Sequence, residues 1–204
     1  MIDFVDLAAF TIHDVKNRLA VLASRAEAKG DGETLRGVLE AAAALTRLLA
    51  WYKAEKGHLE IEVEARTPAD LLDELALEIG KQTALVVTAD PGQAPTLWFY
   101  DEALVRMVLL SALYNALRHA RQRVRLAARV RDDWLEFSVC DDGPGYPEAM
   151  LGEAVAMQPL SSEGTGLGLH LAARVAAFHH HAGRQGYLEL GNEGGAVFRL
   201  LLPR

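Results

Sequence analysis

Two glycine-rich stretches carry the chemistry most open to this chain. Asp141-Asp142-Gly143-Pro144-Gly145 is an acidic pair running into a Gly-Pro-Gly turn, directly after the apolar, β-prone stretch 134–140. Gly164-Thr165-Gly166-Leu167-Gly168-Leu169 is a second glycine-rich loop, and it runs into a helix-like segment. Such a loop leaves backbone N–H groups unobstructed, and a helix N-terminus behind it favours negative charge. That combination suits a polyphosphate. A carboxylate cannot serve phosphates, since like charges repel, but Asp141 could accept a hydrogen bond from a base amino group. The pair therefore reads as a nucleotide site, with Asp141 on the base and the second loop on the phosphates. One Gly-x-Gly alone is more often a simple turn; two at strand or helix junctions carry the reading. No Gly-x-x-x-x-Gly-Lys-Ser/Thr occurs, and no strand-like run directly precedes the second loop, which excludes the better-known phosphate loops.

A second set of polar groups sits on helix-like segments. His13 is followed by Asp14, and Asn17 lies one turn on, on the same helix face. A single histidine on a helix flank is ordinarily a solvated surface residue. Here an adjacent carboxylate can hold the imidazole's tautomer and orientation, leaving the other nitrogen free as a nucleophile. Asn17 could hold a water or a phosphoryl oxygen beside the same ring. Farther on, Ser111, Asn115 and Arg118 share one face, at steps of four and three, among apolar neighbours. The Asn115 amide oxygen is a hard ligand suited to Mg²⁺, and Arg118 suits a phosphate. The alternative for Asn115 is the cap of a buried polar contact. His179-His180-His181 is open to metal binding, but its place near a helix C-terminus favours an interaction with the helix dipole.

The elements that must position these groups fall into two parts. Val5, Ala8, Ile12, Val15, Leu19 and Leu22 follow each other at steps of 3, 4, 3, 4, 3, and so do Leu35, Val38, Ala42, Leu45, Leu49 and Tyr52. The loop Lys29-Gly30-Asp31-Gly32 separates them. This predicts an antiparallel helical hairpin over residues 1–56, which pairs with a second copy as a four-helix bundle in a homodimer. From Gly57 the pattern changes, and residues 57–204 read as a second domain. Expected there are strands at 58–65, 85–88, 96–100, 124–131, 134–140, 186–190 and 196–202. Helices are expected at 67–79, 102–120 and 166–180. Turns fall at 90–92, 132–133 and 192–195, and the poorly patterned 148–163 reads as a mobile segment. The mixed order gives an α+β fold, an α/β sandwich with a largely antiparallel sheet.

Bulk composition narrows the class further. The 204 residues are half hydrophobic and carry a net charge of −7, so the chain is globular and non-specific nucleic-acid binding is disfavoured. Cys140 is the single cysteine, which excludes an internal disulfide and reads as a small buried apolar residue. No apolar run reaches spanning length and the N-terminus lacks a basic start, so no membrane span and a cytoplasmic location are expected.

Together these segments resemble a sensor histidine kinase core of two-component signalling, over nearly the whole chain. His13-Asp14-Val15-Lys16-Asn17-Arg18-Leu19-Ala20 resembles the phosphoacceptor box, residues 111–120 the N box, and residues 141–147 and 164–169 the two glycine boxes. Residues 194–200 resemble the family's last strand. The resemblance implies an ATP-binding domain of the histidine kinase type, with ATP and Mg²⁺. It implies phosphorylation of His13 on a ring nitrogen, with Asp14 as base and orienting group. Asn115 would hold Mg²⁺ and Arg118 would contact phosphate. Asp141 would read the adenine amino group, with Gly143 and Gly145 shaping that wall, and Gly164, Gly166 and Gly168 would anchor a lid over the triphosphate. Asp14 with Asn17 also resembles the family's phosphatase pair, which acts on the aspartyl phosphate of a response regulator receiver domain.

The chain departs from the family pattern at Arg18, where a proline is usual, and at Ser111, in place of the first N-box asparagine. It shows no phenylalanine-rich box between Pro147 and Gly164, and no sensor region ahead of the hairpin, so input is expected from a separate sensory or regulatory partner, a soluble signal at the hairpin, or assembly. The alternative reading is a histidine phosphotransfer or phosphatase module with weak or no autokinase activity.

Overall fold

The computed structural model describes residues 4–151 and 167–204. The chain divides into two compact units, Met1–Glu60 and Ile61–Arg204. The N-terminal unit is two helices, α1 (Phe4–Ala28) and α2 (Gly32–Glu55). Their junction follows from three residues. Gly30 adopts φ +69° just past the end of α1. Its N–H donates to the Glu27 carbonyl at 3.0 Å, and the Asp31 N–H donates to that of Ala26 at 2.9 Å, the paired bonds that close a helix on glycine. Asp31 then caps α2, its carboxylate accepting from the Thr34 N–H at 3.0 Å and the Thr34 hydroxyl at 2.7 Å. So short a turn returns the chain antiparallel along α1. Ile12 and Leu19 face Leu35, Val38, Ala42, Leu45 and Leu49 as a half-buried seam, while Val15 and Leu22 of the same expected seam stay 36% and 46% exposed. A two-helix hairpin covers only one side of each apolar stripe. The seam side chains of Val5 and Ala8 lie outside the described residues.

The C-terminal unit is a mixed sheet under three helices. Its strands are β1 (Glu64–Arg66), β2 (Val86–Gln93), β3 (Trp98–Tyr100), β4 (Arg123–Arg131), β5 (Trp134–Asp141), β6 (His180–His181), β7 (Arg184–Gln185), β8 (Tyr187–Asn192) and β9 (Ala196–Pro203). The helices are α3 (Pro68–Gly80), α4 (Glu102–His119) and α5 (Leu167–Phe178). The main sheet has the order β2-β4-β5-β9-β8. Three of its four pairings are antiparallel, and β2 runs parallel to β4. Two small ribbons, β1-β3 and β6-β7, stand apart. Local chemistry explains much of this. Asp132 and Asp133 both take positive φ, the two-residue turn that a twisted hairpin requires. Pro68 opens α3 at its first turn, and Asp101 caps α4 by accepting from the Leu104 N–H at 2.9 Å.

One face of the sheet is apolar. Val124, Leu126, Leu135, Phe137, Leu200 and Leu202 of the sheet and Leu71, Leu75, Ile79, Leu109, Leu113, Leu171 and Val175 of the helices are all at most 2% exposed. Full burial of each such side chain contributes about 1.5–3 kcal/mol. The other face carries an ion-pair lattice centred on Glu136, 2% exposed, which meets Arg129 at 2.8 Å and Arg131 at 3.0 Å. Arg199 joins it through Glu189 at 3.2 Å and through Glu193.

Two expectations change. The alternation over residues 58–65 yields only the short β1, because only Glu64–Arg66 finds a partner, in β3. The turn expected at 90–92 lies inside β2, which bulges between Asp90 and Gln93 and resumes pairing with β4. The segment read as mobile falls mostly outside the described residues, apart from a single 3-10 turn at Glu148–Met150.

Candidate nucleotide site

In the C-terminal unit the chemistry-bearing groups gather around α4. Asp141 ends β5, and its Oδ1 accepts from the Gly143 N–H at 2.7 Å and the Ala196 N–H at 3.2 Å. Those bonds fix the carboxylate's orientation and leave Oδ2 available to a further donor. A side chain on Gly143 would collide with the His119 carbonyl at the end of α4, and one on Gly195 would collide with the Asp141 backbone. Glycine is needed at both places because three backbone segments pass in contact there. Asp142 performs a different task from its neighbour. Its Oδ1 accepts from the N–H groups of Arg121, Gln122 and Arg123, at 2.8, 3.1 and 3.3 Å, and ties the exit of α4 to the glycine turn. The backbone N–H of Gln122 foremost, then those of Arg121 and Arg123, hold its pKa below the usual carboxylate range.

Gly145 takes φ +87°, and a Cβ there would sit 2.6 Å from Asn192 Oδ1. Asn192 clamps the next residue on both sides, its Oδ1 accepting from the Tyr146 N–H at 2.8 Å and its Nδ2 donating to the Tyr146 carbonyl at 2.9 Å. Burial foremost, then the Asp141 charge, push the Tyr146 phenol up to about 12 against an opposing pull from Asn115. Asn115 is half-buried, and Arg118, one turn on, is exposed on the same face. Ser111 also faces this way. Gly168, in the first turn of α5, passes so close that a Cβ would lie 2.7 Å from Ser111 Oγ. A small residue at 111 is what allows α5 to cross α4 there. Gly164 and Gly166 lie outside the described residues.

These groups fit a nucleotide. The oriented Asp141 offers one free carboxylate oxygen, the α5 N-terminus lies against α4, and Asn115 and Arg118 supply an amide and a cation along one face. A hard cation such as Mg²⁺ would find an amide oxygen at Asn115. Among the described residues no group of three or more His, Cys, Asp or Glu could hold a metal ion. The cation would therefore depend on phosphate oxygens for most of its ligands.

In the N-terminal unit His13, Asp14 and Asn17 are all exposed on α1. The side chain touching His13 is Asn17, with Nδ2 3.2 Å from Nδ1. The direction of that hydrogen bond follows the tautomer of the ring. The Asp14 carboxylate pairs with Arg18, one turn on, at 2.9 Å.

The histidine run also resolves. His179 is 3% exposed. Its Nδ1–H donates to the Val175 carbonyl at 2.8 Å, and its Nε2 accepts from the Asp101 N–H at 2.9 Å. Burial lowers its pKa and keeps the ring neutral. The helix-dipole reading is thus corrected: His179 is a buried junction between α5 and the cap of α4. His180 and His181 are exposed in β6. Asp142, Tyr146 and Asn192 went unassigned in the sequence. Only the acidic pair at 141–142 gave a signal, since the others matter through contacts between distant segments.

Residues 100–204 match the model of the family described as histidine kinase-, DNA gyrase B-, and HSP90-like ATPase, and the chain belongs to that family. The signal transduction histidine-protein kinase AfsQ2 of Streptomyces coelicolor is 37% identical over 111 residues, 51% of this chain and 20% of that protein. The sensor protein KdpD of Escherichia coli is 26% identical over 216 residues, 97% of this chain and 24% of that protein. The structure of full-length ShkA in complex with AMPPNP superposes with a TM-score of 0.67 at 21% identity, over 97% of this chain and 45% of that one, and shows the shared fold. The resemblance to a sensor histidine kinase core holds. The chain spans about a fifth to a quarter of the length of these two curated relatives.

Proposed function

We propose that this chain is the core of an ATP-dependent protein-histidine kinase, with residues 57–204 binding Mg-ATP and residues 1–56 carrying the phosphoacceptor His13. The observation that carries the proposal is Asp141, whose Oδ1 is anchored by two backbone N–H groups while Oδ2 is left for a base amino group. The family match and the kinase relatives support it. Asp141 selects the base, with Gly143 and Gly145 forming the wall. Arg118 meets phosphate, and Gly164, Gly166 and Gly168 anchor the covering loop. Mg²⁺, held in part by the Asn115 amide oxygen, supplies charge neutralisation when bound. The unprotonated ring nitrogen of His13 forms the new N–P bond as ADP departs, and the proton of the resulting phosphoimidazolium passes to the Asp14 carboxylate. The phosphoryl group then moves to an aspartate of a response regulator receiver domain, and Asn17 beside His13 suits the reverse task of positioning water for dephosphorylation. The exposed Phe10, Val15, Val21, Leu22 and Leu48 of the hairpin support a homodimer built on a four-helix bundle. Among the described residues no helix is long and apolar enough to cross a membrane. We place the core in the cytoplasm, under a separate sensory partner.

The test is incubation with Mg²⁺ and γ-labelled ATP, beside His13→Gln and Asn115→Ala. Acid-labile, alkali-stable label in the wild type, absent from both variants, is the expected result. Label persisting in His13→Gln sinks the assignment of the phosphoacceptor. Absent label with ATP binding intact moves the reading to a phosphotransfer or phosphatase module.

A further inference from the structure

We propose that Asn192 is a positioning residue for selection of the base, holding the turn next to Asp141 so that a single carboxylate oxygen faces the ligand. The proposal rests on the reading of Asp141 as the group that accepts from the base amino group. Asn192 ends β8, and Ala196, its cross-strand partner, begins β9. The turn between them is closed by the Glu193 N–H, which donates to the Gly195 carbonyl at 2.9 Å. This turn grips the first glycine turn at both ends. At one end the Ala196 N–H donates to Asp141 Oδ1 at 3.2 Å. At the other the Asn192 amide accepts from the Tyr146 N–H at 2.8 Å and donates to the Tyr146 carbonyl at 2.9 Å. Gly145 approaches Asn192, and Gly195 approaches Asp141, too closely for a Cβ at either place, so the two turns interlock.

Asparagine suits this place because its short amide offers a donor and an acceptor side by side. The pair of bonds copies the exchange between two antiparallel strands. Water competes for any single bond at this exposed position, but two bonds to one residue hold its backbone in register. What is fixed in consequence is Asp141. Gly143, inside the clamped turn, supplies the 2.7 Å bond to Oδ1. With Oδ1 taken by two backbone N–H groups, Oδ2 is the oxygen left for a ligand. One oxygen matches the exocyclic amino group of adenine. Guanine carries a 6-oxo group at that position, which repels a carboxylate, and its adjacent N1–H and 2-amino group call for both oxygens at once. Releasing the turn frees Oδ1 and lets the carboxylate rotate toward such a pair.

The measurement is the affinity for ATP, GTP and inorganic tripolyphosphate, by titration calorimetry with Mg²⁺, for wild type, Asn192→Ala, Asn192→Asp and His179→Ala. The last is a control that weakens the same unit at a separate junction. Wild type should prefer ATP to GTP. Asn192→Ala should lose roughly three- to tenfold in ATP affinity, as expected for one or two hydrogen bonds. Its affinities for GTP and tripolyphosphate should stay within about twofold, so the ATP-to-GTP ratio narrows. Asn192→Asp keeps the acceptor for the Tyr146 N–H and loses the donor; it should fall between, and it serves if the alanine variant does not fold. His179→Ala should keep the wild-type ratio. A wild-type ratio in both Asn192 variants overturns the proposal. So does an equal loss for all three ligands, which would make Asn192 a packing residue, or the same narrowing in His179→Ala, which would make the effect one of general stability. A wild type that binds ATP and GTP alike removes Asp141 as reader of the base, and the proposal with it. A wild type that binds neither overturns the nucleotide reading itself.

Discussion

The two units hold their reactive groups in opposite ways. On the hairpin, His13 meets Asn17 and Asp14 meets Arg18, each four residues apart, on an exposed helix surface. In the C-terminal unit Asp141 is bonded to a residue 55 positions away, Tyr146 to one 46 away, and the cap of α4 to a histidine 78 away. On the function proposed above, the hairpin group accepts a phosphoryl and passes it on, a task that needs access, and local helical spacing is enough to orient it. A group that must discriminate a ligand needs an immobile frame, and only tertiary contacts supply one. Damage should therefore spread in the second unit and stay local in the first.

The largest effect is expected at Gly195→Ala. The new Cβ meets backbone atoms of Asp141 and Asp142 that have nowhere to go. Urea unfolding should show a loss of about 2–3 kcal/mol, and ATP binding should fall with it. Unchanged stability and binding would show the frame to be softer than argued. His179→Ala comes next, at about 2 kcal/mol at pH 7, because it strips a partner from the buried Asp101 N–H. The sign of its pH dependence is fixed by the lowered pKa. The unfolded chain takes up the proton first, so the contribution is complete above the ordinary value of 6.5 and is lost as pH falls below it. Thermal unfolding of wild type and variant should therefore converge in mild acid. The smallest effect belongs to Arg18→Ala, whose exposed partner Asp14 should change hairpin stability by less than about 0.5 kcal/mol. A larger loss there would mean that the hairpin, too, depends on a frame.

The same contrast governs what could be read before the structure was known. Helical spacing alone put Asn17 over His13, and turn chemistry alone placed the hairpin at Asp132-Asp133. The long-range partners were not legible. Asn192 reads as an ordinary turn residue, and nothing near it points to Tyr146. His179 looked like a charge at a helix end because its partner Asp101 belongs to another element. The strand expected at 58–65 shrank for a related reason: alternation marks a segment able to pair, but pairing depends on what passes beside it. The bulge in β2 is of the same kind, since Pro91 and Gly92 signal a turn and only the neighbouring β4 keeps the chain extended.

The position of β9 has one more consequence, for the order in which the molecule can come into being. This last strand lies between β5 and β8, inside the sheet, and the segment leading into it supplies Asn192, the close approach at Gly195 and the Ala196 N–H on Asp141. The Trp98 indole N–H also donates to the Pro203 carbonyl, at 3.0 Å. During synthesis α4, β5 and the first glycine turn emerge well before any of these partners. The frame around Asp141 cannot close on a nascent chain, so the nucleotide site proposed there is not finished until translation of this domain has ended.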